Sequence, residues 1–206
     1  MEQNNIEYRK LERSDYPALE KIIRETWKYE TFCSPKVAKK MSKVFLASCL
    51  CNQTFNCVAI NNGEPVGIIL GKYIRDFHAP IKLYFRLFFS ICNMLISKEG
   101  RMVTKKFKVI QKIDEALLKE TDNSFDCELA FFAIDASQRG NGIGKHLFDN
   151  FVSYMNSKNC NSFFLYTDST CNFGFYEHQG MKRLGEKVFR TNPSSGKEIN
   201  FYIYSN

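Results

Sequence analysis

Cys127-Glu-Leu-Ala-Phe-Phe-Ala-Ile-Asp-Ala-Ser-Gln-Arg-Gly-Asn-Gly-Ile-Gly-Lys-His-Leu147 joins an apolar run to a glycine-rich turn and then to an amphipathic segment. The pattern predicts a strand over 127–134, a tight turn, and a helix over 142–157. Glycines at 140, 142 and 144 allow a sharp backbone reversal and close approach by a ligand. The first N–H groups of a helix lack intrahelical partners, and the helix dipole adds positive charge there. The stretch therefore reads as an anion cradle suited to phosphates.

Spacing excludes two common phosphate loops. A dinucleotide fingerprint G-x-G-x-x-G would place its last glycine at Lys145 or Leu147, depending on the starting glycine. A Walker loop would need glycine at Arg139 and a hydroxyl at His146. The sequence that stands there is R-x-x-G-x-G, Arg139 to Gly144, between a strand and a helix. Downstream come a second strand, 162–167, and then Asn172-Phe-Gly-Phe-Tyr176-Glu-His-Gln-Gly180-Met181, a short helix over 171–179 ending in glycine. Together these elements resemble the GNAT superfamily of N-acetyltransferases, which bind acetyl-coenzyme A. The resemblance is firm over about 126–190, extends to 6–75, and lapses between 76 and 125.

The resemblance implies a mixed α/β (α+β) fold, with a mostly antiparallel central sheet flanked by helices. It also implies an N-acyltransferase that carries acetyl from acetyl-coenzyme A to a primary amine in a ternary complex. By position, Arg139, Gly140, Asn141, Gly142, Ile143, Gly144 and Lys145 would hold the diphosphate through backbone N–H groups, with charge added by Arg139 and Lys145. The backbone at Phe132, Ala133 and Ile134 would pair with the pantetheine arm and polarise the thioester carbonyl. Asn172 matches a position that contacts pantetheine, and Tyr176 one whose hydroxyl approaches the cofactor sulfur. A phenol stays protonated at neutral pH and can donate to a departing thiolate. Glu128 matches a position where many relatives carry a carboxylate. It lies four residues before Phe132, with the same strand parity, and is the candidate base. The competing roles are a solvated strand-entry charge for Glu128 and a core aromatic for Tyr176. The alternative for the whole chain is a non-catalytic acyl-coenzyme A sensor or interaction module.

The remaining chain reads as one domain over 1–206. An alternating strand at 6–11 precedes a helix with Leu19, Ile22, Ile23 and Trp27 on one face, N-capped from Ser14 and Asp15. Ser34-Pro35 opens a second helix to about Leu50. Strands at 54–60 and 66–74 flank the hairpin signal Asn61-Asn-Gly-Glu-Pro65. A last strand pair, about 186–191 and 198–204, is joined by a turn at 192–196. Residues 77–123 depart from the family pattern as a helical insertion between the third and fourth strands. Pro80–Ile96 is very apolar, and Gly100 separates it from a helix with Val103, Phe107, Ile110, Ile113 and Leu117 on one face. Core packing, self-association in a homodimer, a lid over the acceptor site and a membrane-surface patch are the roles open to it.

Composition sets further bounds. Of 206 residues 44% are hydrophobic and 25% charged, as in soluble globules, and the net charge is +7. An anionic cosubstrate accounts for the basic balance as well as nucleic acid does, and no recognition helix or RNP-type motif is present, so nucleic acid is not expected as the main partner. A basic adaptor binding nucleic acid or an anionic membrane through 98–119 is the second rival. Lys82 and Arg86 leave only ten uncharged residues from Leu87 to Ile96, too few for a transmembrane segment. The polar N-terminus and eight cysteines without a zinc spacing predict a cytoplasmic protein with reduced thiols and no metal. Cys171, beside the start of the 171–179 helix, is expected to ionise readily. The acceptor, a small-molecule or protein amine, carries no motif of its own.

Overall fold

Alternating and continuous apolar runs form seven strands, and helical apolar spacing forms six helices, in a computed structural model describing residues 6–78, 80–190 and 198–206. The order is β1 (Ile6–Arg9), α1 (Tyr16–Thr26), α2 (Pro35–Cys51), β2 (Phe55–Asn61), β3 (Glu64–Tyr73), α3 (Ile81–Leu95), α4 (Lys98–Glu120), β4 (Cys127–Ile134), α5 (Ile143–Ser157), β5 (Phe163–Asp168), α6 (Gly174–His178), β6 (Lys182–Arg190) and β7 (Glu198–Ser205). The strands make one sheet in the order β1-β2-β3-β4-β5-β7-β6. Every neighbouring pair is antiparallel except β4 with β5. The expected turn at 192–196 lies outside the described residues.

Local chemistry explains most boundaries. Asn62 and Gly63, at φ 50° and 82°, close the β2–β3 hairpin with the two left-handed residues such a turn requires. Ser34 accepts from the Val37 N–H and caps α2, with Pro35 in the first turn. Asp15 does not cap α1 with its side chain. Its carboxylate instead takes the Glu12 N–H and two Arg9 guanidinium N–H groups, each at 2.8 Å, bracing the turn before the helix. Gly180, at φ 81°, ends the α6 segment and releases the chain into β6 at Lys182, earlier than the expected start near 186.

One face of the sheet is covered by α1, α2 and α4, the other by α5 and α6. On the first, Leu19, Ile23, Leu46, Ile68, Leu70 and Phe131 share one core. Further along, Leu117 of α4 meets Phe164, Phe201 and Ile203. A Cβ at Gly185 would lie 3.2 Å from Leu117, so the glycine lets α4 settle closely on β6. On the second face Leu147, Phe151 and Met155 of α5 pack on Ile69, Leu129 and Leu165. Helix α3 lies outside α2 and α1. Arg86 stacks over the Tyr16 ring at 4.1 Å, and Lys40 donates to the Asn93 carbonyl at 2.8 Å.

The helical character expected of 77–123 is present, but the break between its helices differs. Ser97 caps α4 by accepting from the Gly100 N–H, so Gly100 sits inside the first turn. A Cβ there would fall 2.0 Å from the Met94 carbonyl oxygen. Glycine is needed for close approach of α3's end to α4, and the capping serine is the separator.

Candidate active site

Two local irregularities in β4 build the site. Opposite β3, Leu70 pairs with Phe131 and Gly71 with Leu129, so Ala130 is an extra residue, a β-bulge. On the other edge β4 pairs with β5 only at Cys127–Phe163 and Glu128–Phe164. From Leu129 to Ile134 the β5-facing edge of β4 carries no strand partner. The sheet therefore opens into a cleft whose wall is main chain with hydrogen-bonding capacity to spare.

The bulge also reverses side-chain parity. Phe131 and Ala133 face α1 and α2, whereas Phe132 and Ile134 join the core beneath α5. Glu128 precedes the bulge and does not share the face of Phe132, contrary to the simple alternation expected from the sequence. It accepts from the Asn52 amide at 3.3 Å, at the end of α2, and pairs with Lys72 of β3 at 3.8 Å. Burial raises its pKa, and Lys72 and Asn52 pull it part of the way back. Its neighbours on the same side include Tyr166 of β5, whose pKa is raised by burial and by the nearby Glu128 and Asp114 charges.

Asp114 is a site residue that the sequence reading missed. It rises from α4 beside Ile110, Ile113 and Leu117, the residues that press this helix on the sheet. Burial, followed by the negative charges of Asp168, Glu128 and Glu115, pushes its carboxyl up to about 7. No hydrogen bond or ion pair partners it among the described residues. The signal was available in the spacing: a carboxylate occupies position 114 on a seam otherwise apolar at 103, 107, 110, 113 and 117.

At the far end of β4, Asp135 takes the Ser137 N–H and hydroxyl, shaping the turn before the glycines. Gly140 and Gly142 have φ of 85° and 77°, and an added Cβ at either would meet nothing within 4 Å. The left-handed backbone fixes glycine there while the space in front stays open. Gly142 is the N-cap of α5 and provides no side-chain acceptor, so the N–H groups of Ile143, Gly144 and Lys145 point forward without an intrahelical partner. Gly144 works differently: a Cβ would lie 2.9 Å from Ile134 and 3.6 Å from Phe132, so its hydrogen lets the helix start against β4. Asn141 is exposed within the loop. The two cationic side chains make local contacts of their own. Arg139 donates to the Ile134 carbonyl at 3.4 Å, and Lys145 pairs with Asp149 at 2.8 Å. Both cations stand exposed beside the forward-pointing main-chain N–H groups.

Tyr176 lies on the α5 side. Its ring is buried among Phe132, Phe175 and Tyr204, with centroids 5.6–6.5 Å away, and its hydroxyl makes no hydrogen bond among the described residues. Burial raises its pKa above the ordinary phenol range, so it stays protonated. Glu128 and Tyr176 thus stand on opposite faces of the sheet, with the β4–β5 cleft between them. Asn172 is exposed ahead of a helix shorter than expected, Gly174–His178. Cys171 departs from expectation: burial and Asp168 lift its thiol to about 12, the reverse of ready ionisation. All eight cysteines are free thiols, and among the described residues no group of three or more His, Cys, Asp or Glu is arranged to hold a metal ion.

The sequence and the fold that carry this geometry are similar to known proteins. The acetyltransferase (GNAT) family model matches residues 108–181, from within α4 to the end of the α6 segment. No curated protein matches the sequence. Among solved structures, the PaiA N-acetyltransferase of Thermoplasma acidophilum in complex with coenzyme A is 17% identical, with a TM-score of 0.51 and 98% of each chain covered. PH1933 from Pyrococcus horikoshii is 14% identical, with a TM-score of 0.59 and 98% of each chain covered. The ribosomal-protein-S18-alanine N-acetyltransferase of Escherichia coli is 12% identical, with a TM-score of 0.54, covering 97% of this chain and 92% of the other. These matches show a GNAT acetyltransferase domain signature at residues 108–181 and, across nearly the whole length of the chain, the fold of solved N-acetyltransferases.

Proposed function

We propose that this acetyltransferase moves acetyl from acetyl-coenzyme A to a primary amine by direct attack in a ternary complex. The observation that carries the reading is the continuity of two main-chain features: forward-pointing N–H groups at 143–145, and the unpaired β4 edge over Leu129–Ile134. The first suits a diphosphate and the second an arm of amides ending in a thioester. When bound, the donor supplies an acyl group activated by a thiol leaving group.

The residues divide the work by face. Glu128, with Asp114 near it, takes the proton from the attacking amine on the α2/α4 side. Their partly desolvated carboxylates also favour an acceptor that arrives as a cation, whether a small molecule or a protein amine. Backbone N–H groups near Phe132 and Ala133, beside the bulge, polarise the acyl carbonyl. Tyr176 holds its proton on the opposite side and gives it to the departing sulfur. Asn172 steers the arm at the mouth of the cleft. The amine adds to the acyl carbonyl to give a tetrahedral oxyanion, which collapses as the C–S bond breaks and the thiolate takes the Tyr176 proton.

Two measurements test this. Calorimetry with coenzyme A should show binding that is lost when the 140–144 backbone is altered, and free thiol should appear when acetyl-coenzyme A and a panel of amines are supplied. Binding without thiol release across cationic and neutral amines would instead favour a non-catalytic sensor of acyl-coenzyme A. Absence of binding would refute both readings.

A further inference from the structure

Helix α3 has two apolar faces and uses one. Leu83 and Met94 pack inward against α2, but the opposite stripe meets only solvent. Along it run Ile81, Tyr84, Phe85, Phe88, Phe89 and Ile96, at helical spacing. Phe88 is 59% exposed, Phe89 66% and Ile96 76%. Ile81, Tyr84, Phe85 and Phe88 also line a shallow groove. A soluble monomer seldom exposes so many large apolar side chains side by side, and such a patch marks a surface that something covers.

Charge says what. Residues 81–113 hold eight Lys or Arg and a single acidic residue, Glu99. The chain carries 29 basic and 22 acidic residues, so everything outside this segment balances at 21 of each. The net charge of +7 thus falls within residues 81–113, and the whole α3–α4 hairpin that bears the exposed rings, with nine basic and four acidic residues over 81–120, still carries +5. Glu99 is itself turned inward, accepting from the Ser34 N–H at 2.6 Å and its hydroxyl at 2.7 Å. Arg101, Lys105, Lys106, Lys108 and Lys112 are exposed, as are Met102 and Val109 among them. A second copy docking through this face would oppose two strongly positive surfaces. Polyanions alone would leave the aliphatic and aromatic stripe wet. Exposed aromatic rings on a hairpin that also exposes many lysines suit the boundary between anionic headgroups and acyl chains. Among the described helices none is long and apolar enough to cross a membrane, which leaves attachment at its surface.

We propose that the α3–α4 hairpin docks this enzyme on an anionic lipid surface, with the Phe85/Phe88/Phe89 stripe entering the interface and the α4 lysines engaging headgroups. The site is separate from the catalytic cleft, so the proposal stands or falls independently of the reaction.

Co-sedimentation of the full chain with vesicles tests it. Vesicles of phosphatidylcholine with about one-third phosphatidylglycerol should bind at least about tenfold more tightly than pure phosphatidylcholine, and about half-molar salt should weaken the binding. The variant Phe85→Ser/Phe88→Ser/Phe89→Ser should lose at least about tenfold in partitioning, as should Lys105→Glu/Lys108→Glu/Lys112→Glu. Both sets of side chains are exposed or solvent-facing, so an unchanged melting transition will confirm folding. Failure to sediment with anionic vesicles overturns the proposal. So does sedimentation indifferent to the aromatic variant. A wild-type dimer that the phenylalanine substitutions dissociate, without vesicle binding, would assign the face to a second copy and also overturn it. Tighter binding to a nucleic-acid oligomer than to the anionic vesicles would do the same.

Discussion

Replacing Glu128 by Gln keeps the shape of the side chain and its contact with Asn52, but removes the proton acceptor. An alkyl amine with a pKa near 10 is neutral in only about one molecule in a thousand at pH 7. A positioned base contributes about 10²–10⁴ in rate. The variant should therefore lose about 10²–10³ in kcat at pH 7, and the deficit should shrink below about tenfold by pH 9.5, where solvent does the deprotonation. Donor affinity, set by the main-chain cradle, should stay within about twofold. The assay is thiol release across pH, with coenzyme A calorimetry alongside. Lys72→Met supplies the converse perturbation. Lys72 holds the Glu128 pKa down against burial, so its removal should move the acidic limb of the pH–rate profile upward.

Stability offers an internal control for the same substitution. The folded-state pKa of Glu128 is raised, so between its unfolded and folded values the native state binds more protons than the unfolded chain. Stability contributed by this group is present at low pH and falls as pH rises through that window. Glu128→Gln removes the fall and should melt at or above the wild-type temperature at pH 7. An inactive variant that is no less stable has lost chemistry and not structure. A variant with wild-type turnover and an unaltered pH–rate profile would refute the assignment of Glu128 as base.

Four further outcomes follow from the geometry. Tyr176→Phe keeps the ring in its aromatic cluster and should lower kcat about 10²-fold with coenzyme A affinity unchanged, measured by thiol release and calorimetry. Gly142→Ala forces a side chain into a φ of 77°, so it should cost about 1 kcal/mol of stability and weaken coenzyme A binding by at least about tenfold, read by thermal melting and titration. Asp114→Asn removes a carboxyl lifted from 3.8 to about 7, so the wild type should lose stability between those pH values while the variant does not; after discounting for partial solvent contact, the difference above pH 7 is about 2 kcal/mol in favour of the variant, seen in denaturant melts at pH 4 and 8. Gly100→Ala would drive a Cβ against the Met94 carbonyl and should destabilise the α3–α4 hairpin by about 1–3 kcal/mol, with hydrogen exchange of α3 as the local readout.

Much of the framework was legible because its signals are local. The strand 127–134 is legible with its observed ends, since a run apolar but for Glu128 is bounded by Asp126 and Asp135. Asn62-Gly63 and Ser34-Pro35 each act within four residues, and both performed as their chemistry dictates. Non-local geometry was not legible. The bulge at Ala130 is a property of the pairing between β4 and β3, and no residue type at 130 announces it. One inserted residue was enough to turn Glu128 away from Phe132. The β6 start at Lys182 was masked likewise: its pairing with β7, not its charged composition, makes it a strand. Gly100 misled because a glycine between two apolar segments usually ends one of them, whereas here it serves the contact between their helices.

The bulge and the short β4–β5 pairing are best understood as a single device. A continuous sheet would seal the space between the two helical layers, and an amine on the α2/α4 side could never meet a thioester threaded past α5. Ending the β4–β5 ladder at Glu128 opens a passage through the sheet, and the bulge two residues later sets the side chains around it. Glu128 thereby stays on the α2/α4 side, the acceptor side in the proposed reaction, at the last paired position, while Phe132 packs near Tyr176 on the proposed donor side. Filling that passage should be more damaging than removing either functional group alone. Ala130→Phe, on the free edge of β4, should abolish turnover and weaken acceptor and donor together, whereas Glu128→Gln and Tyr176→Phe each leave donor binding intact. If the bulky variant bound coenzyme A normally and turned over at the wild-type rate, the route through the sheet would have to lie elsewhere.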